Sequence, residues 1–80
     1  MNYGYIVSDL LNKCENFSRA YLEARFRLFG GPFDVEAPIE SASVETRDEA
    51  VQIKDELKKR FPKSMLKVEI VSRELELVAF

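Results

Sequence analysis

Eighty residues form one domain of ordinary globular composition, 46% hydrophobic and 32% charged, which excludes disorder and a second unit. The formal net charge of −2 includes no histidine, so the commonest general base and metal ligand are missing. A single cysteine leaves no internal disulfide, and no apolar run approaches the roughly 18 residues of a membrane span.

The charge is blocked along the chain. Residues 30–53 hold six acids against one base, and residues 54–67 hold six bases against two acids. Such blocks steer partners without specifying a fold. The start, MNYGYIVSDLL, has no basic region followed by an apolar stretch, so no secretory signal is expected; with the lone thiol this points to a cytoplasmic setting.

From Tyr3 the apolar positions fall at Val7, Leu10, Cys14, Phe17, Tyr21, Ala24 and Leu28, alternating steps of four and three. That seam predicts one long helix over 3–29, stopped by Gly30-Gly31-Pro32 and dressed by the pairs Asp9/Lys13, Glu15/Arg19 and Glu23/Arg27. The competing reading makes Tyr3–Val7 a short strand with Ser8 capping the helix that follows. In the stretch SRAYLEARFRLFGGP, arginines and aromatics alternate in the text but diverge around a helix, so a stacking platform is not expected.

Phe33, Val35, Ala37 and Ile39 alternate with Asp34, Glu36, Pro38 and Glu40, the pattern of a half-buried strand, placed at a sheet edge by Pro38. Ser41–Glu45 could extend it after a change of face. Thr46-Arg47-Asp48-Glu49 is a capping box opening a helix with Ala50, Ile53, Leu57 and Phe61 on its inner stripe. Lys58, Lys59 and Arg60 then suit its negative end, with Asp55/Lys59 and Glu56/Arg60 as pairs, and Pro62 closes it. The tail SMLKVEIVSRELELVAF is strand-like and would span about 53 Å unbroken, so a hairpin near Ser72-Arg73 is expected. The fold class is α+β: a two-layer sandwich of a long N-terminal helix, then β-α-β-β with a small three-stranded sheet and a crossover helix between parallel strands.

No motif names a reaction. Cys14 lies on the helix seam, the serines have no base beside them, and Gly30-Gly31 follows a helix instead of preceding one. Neither catalysis nor a cofactor nor a metal is expected. A helix over 3–29 would be about 40 Å long, against a globule of roughly 30 Å, and would leave Leu11, Leu22, Arg25, Phe26 and Phe29 for a protein interface. Asp34, Glu36, Glu40, Glu69, Glu74 and Glu76 form an acidic docking face.

The expected function is a non-catalytic protein-interaction module acting by binding and occlusion, as a homodimer or in a hetero-complex, without a membrane. Its small size and lack of catalytic groups resemble the small inhibitors that phages and mobile elements deploy against host machinery, anti-CRISPR proteins among them. The alternative is nucleic-acid binding through Arg19, Arg27, Lys58 and Lys59, less expected because the aromatics face inward.

Overall fold

The computed structural model describes residues 3–30 and 38–72. Strand β1 (Tyr3–Asp9) is followed by helix α1 (Phe17–Phe29), a 3-10 turn (Ile39–Ala42), helix α2 (Arg47–Arg60) and strand β2 (Leu66–Ser72). The two strands pair antiparallel, from Tyr3 opposite Ser72 to Asp9 opposite Leu66. The ladder gains one further bond where the Leu10 N–H donates to the Met65 carbonyl at 2.9 Å.

The long N-terminal helix is not formed. Residues 3–9 are a strand, and helix begins only at Phe17. The Asp9 carboxylate takes the N–H groups of Cys14 at 2.9 Å and Lys13 at 3.3 Å. Asn12 and Asn16 then adopt φ of 53° and 56°, a left-handed backbone that asparagine tolerates better than most residues. These two residues break the seam into a strand, a turn and a helix of 13 residues. The strand alternative had the right region but the wrong cap: Ser8 lies within β1 opposite Lys67, and Asn16 caps α1 without a side-chain bond. At the far end Gly30 fills the expected stop with φ of 73°, its N–H donating to the Phe26 carbonyl at 2.8 Å.

Among the described residues the sheet has two strands rather than the three expected. On the edge of β1 away from β2, Val44 forms a single antiparallel bridge with Tyr5 through bonds of 2.8 and 2.9 Å. Val44 and β2 are both antiparallel to β1, so they run in the same direction and α2 joins them across it. Val44 is a single bridge and not a strand, so the expected crossover between two parallel strands is not formed among the described residues. Ile39 and Glu40 belong to the 3-10 turn and not to a strand. The rest of that proposed strand, residues 33–37, and the second arm of the C-terminal hairpin, residues 73–80, lie outside the described residues.

Helix α2 packs on both strands, while the principal neighbours of α1 are α2 and the 3-10 turn. Tyr21, Ile53, Leu57 and Val7 are the largest side chains fully enclosed. Ala20, Ala24 and Ala50, all buried, keep the helical part of the core thin. Ile6 and Val7 are adjacent in a strand and both buried, so β1 is covered on both faces. Tyr21 donates its hydroxyl to the Ala42 carbonyl at 2.9 Å, tying α1 to the 3-10 turn. The capping box at Thr46 is present in full: its hydroxyl accepts from the Glu49 N–H at 3.2 Å, and Glu49 Oε1 accepts from the Thr46 N–H at 3.1 Å.

The surface pairs differ from those expected. Glu23 binds Arg19 on its own helix at 3.3 Å and Arg60 of α2 at 2.9 Å, instead of Arg27. Arg60 is thereby drawn from Glu56 and also lies over the Phe61 ring at 5.3 Å.

Candidate functional site

The end of α1, the 3-10 turn and the start of α2 enclose a cleft of about 800 Å³. Phe29, Pro38 and Val44 supply apolar lining, and Glu40, Glu45 and Glu49 supply carboxylates. Arg25 is the basic group among its described lining residues. Its Nη1 donates to the Gly30 carbonyl at 3.1 Å, but its Nε is buried and has no hydrogen-bond partner. An orphaned guanidinium N–H is costly. Phe26, one helical turn before Gly30, is 49% exposed, and Phe29 is 37% exposed. Ser72, at the end of β2, marks where the cleft sits along the sheet.

The opposite end of the sheet has a different character. The Leu10–Met65 bond brings together the turn after β1 and the turn before β2. Leu10, Leu11 and Met65 are each about half exposed there, at 48%, 48% and 53%. Exposed Lys13, Lys63 and Lys67 lie within two residues of them in sequence. Lys58 adds a fourth, its ammonium donating to the Ser64 carbonyl beside Met65. We call this basic, aliphatic end the tip. The cleft lies at the first residues of α2 and the tip at its last, about 20 Å apart at the rise of a helix.

A second groove of about 440 Å³, lined by Asp9, Asn12, Cys14 and Ile39 among others, holds the lone thiol. Burial pushes the Cys14 thiol up, the neighbouring Asp9 carboxylate adds to this, and contacts with Ser64 and Lys58 only partly oppose it. A thiol held protonated in this way is a poor nucleophile. Among the described residues no group of three His, Cys, Asp or Glu side chains is placed to hold a metal ion, and no helix is long and apolar enough to cross a membrane.

The residues expected at a protein interface do not lie together. Arg25 and Phe29 line the cleft, Phe26 is exposed on α1 outside its lining, Leu11 lies at the tip, and Leu22 is 4% exposed and belongs to the core. Of the acidic docking face, Glu40 lines the cleft and Glu69 is half-buried on β2 opposite Ile6. Asp34, Glu36, Glu74 and Glu76 lie outside the described residues. Of the nucleic-acid candidates, Arg19 is held by Glu23, Arg27 and Lys59 are exposed, and Lys58 is turned to Ser64.

Glu45 and Glu49 at the cleft, and Leu10, Met65 and Lys67 at the tip, were not singled out from sequence. The signal was the charge blocking, because residues 30–53 supply the cleft acids and 54–67 most of the tip lysines. No protein-family model, curated protein or solved structure matches the chain.

Proposed function

We infer that this chain is a non-catalytic protein-interaction module, and that the cleft at the end of α1 receives its partner. The observation that carries this reading is the cleft's mixed lining: exposed Phe29 beside three glutamates. Apolar surface of this kind favours burial against another chain. The glutamates select a partner segment carrying lysine or arginine. Occupying such a segment would hide it from its other ligands, which is binding by occlusion. Two of the six bases in residues 54–67 have other roles, Arg60 on Glu23 and Lys58 on Ser64, so nucleic-acid binding draws less support.

The test is an amide NMR titration of the intact chain with a synthetic peptide of alternating lysine and leucine, and with its glutamate counterpart. The lysine peptide should shift the amides of Arg25, Phe29, Glu45 and Glu49 and leave those of Leu10 and Met65 in place. Equal shifts with both peptides, or none at the cleft, would overturn the reading.

A further inference from the structure

The tip and the cleft are opposite in charge and alike in carrying apolar surface. The cleft offers carboxylates (Glu40, Glu45, Glu49) around apolar Phe29, Pro38 and Val44. The tip offers lysines (Lys13, Lys63, Lys67) around apolar Leu10, Leu11 and Met65. One surface is concave, and the other is a pair of turns at the end of a sheet. The geometry points to a second copy of this chain as an occupant of the cleft, entering by its tip. This rests on the reading of the cleft as a protein-binding surface and goes beyond it by naming the partner and the partner's docking residues.

The two surfaces lie at opposite ends of α2, about 20 Å apart at helical rise, so one molecule cannot join its own tip to its own cleft. A copy that docks by its tip still presents an empty cleft, and the receiving copy still presents a free tip. The contact is therefore heterologous, head to tail, and it propagates unless rotation closes a ring. Leu10, Leu11 and Met65 supply the apolar burial, and the lysine–glutamate contacts set orientation. Rim charges of this sort are screened by salt, so assembly weakens as ionic strength rises.

Sedimentation velocity on the intact chain, with two charge-reversed variants, tests this. The cleft variant is Glu40→Lys with Glu45→Lys, and the tip variant is Lys63→Glu with Lys67→Glu; all four positions are exposed. Wild type at millimolar concentration and low salt should sediment at two or more times its monomer mass of 9.2 kDa, falling toward monomer as salt is added. Each variant alone should remain monomeric. In the mixture, the intact tip of the cleft variant meets the intact cleft of the tip variant, and the reversed cleft and reversed tip are opposite in charge as well, so association that neither variant shows alone should return.

A wild type that stays monomeric at low salt overturns the proposal whether or not the variants fold. So does a wild-type dimer that both variants retain unchanged, because that contact would use another surface. If wild type is monomeric while the lysine–leucine peptide still shifts the cleft amides, self-association falls and the reading of the cleft stands. If both fail, both fall.

Discussion

Asp9 ends β1 and holds the turn that replaces a continuous helix, through the N–H groups of Cys14 and Lys13. Partial burial raises its pKa, but those backbone bonds together outweigh it, so its carboxyl titrates below the ordinary 3.8. A carboxylate with a depressed folded pKa contributes stability that is fully present above the unfolded value and is lost as pH falls through the folded one. Asp9→Asn should therefore lower the melting temperature at neutral pH, with the difference from wild type shrinking once pH drops below 3.8. A constant difference at every pH would mean the charge plays no part. Deeper in the fold, Ile53 is fully enclosed in the core. Ile53→Ala should cost about 2–5 kcal/mol in urea unfolding. Tyr21→Phe removes the hydroxyl bond to Ala42 and should cost about 1 kcal/mol.

At the scale of elements, helix α2 was legible because its signals are local. The Thr46 capping box, the stripe Ala50, Ile53 and Leu57, and the stop before Pro62 all act within a few residues, and the structure has each of them. Thr46→Ala should lower stability by about 1 kcal/mol, seen as a reduced urea midpoint with an unchanged slope. The first thirty residues misled for a physical reason. Val7, Cys14, Tyr21 and Ala24 are indeed buried, as the seam requires, but they reach the core from a strand, a turn and a helix in succession. Spacing alone cannot distinguish these routes. The signals against a single helix were Asn12, Asn16 and the β-branched pair Ile6-Val7. Asparagine at a left-handed position is cheap, and Asn16→Val should cost roughly 1–2 kcal/mol for that reason. Phe26 and Phe29 are exposed, as their places beside the seam allow; Leu22, grouped with them from sequence, is buried.

For the whole molecule, the charge blocks of the sequence become a separation in space. Acids surround the cleft at the start of α2, and lysines surround the tip at its end. Neither concavity nor apolar exposure could be read from blocks of charge, since both arise from how turns distant in sequence meet. The Leu10–Met65 bond joins residues fifty-five positions apart. The same arrangement supplies a direct measurement of how copies meet. Carbodiimide coupling joins lysine to carboxylate only at contact distance, and a mixture of unlabelled and nitrogen-15 chains distinguishes links between copies from links within one. Lys63 or Lys67 should couple to Glu40 or Glu45, in mass-spectrometric pairs of mixed isotope. Pairs of one isotope only, or no coupling between these residues, would contradict head-to-tail docking into the cleft.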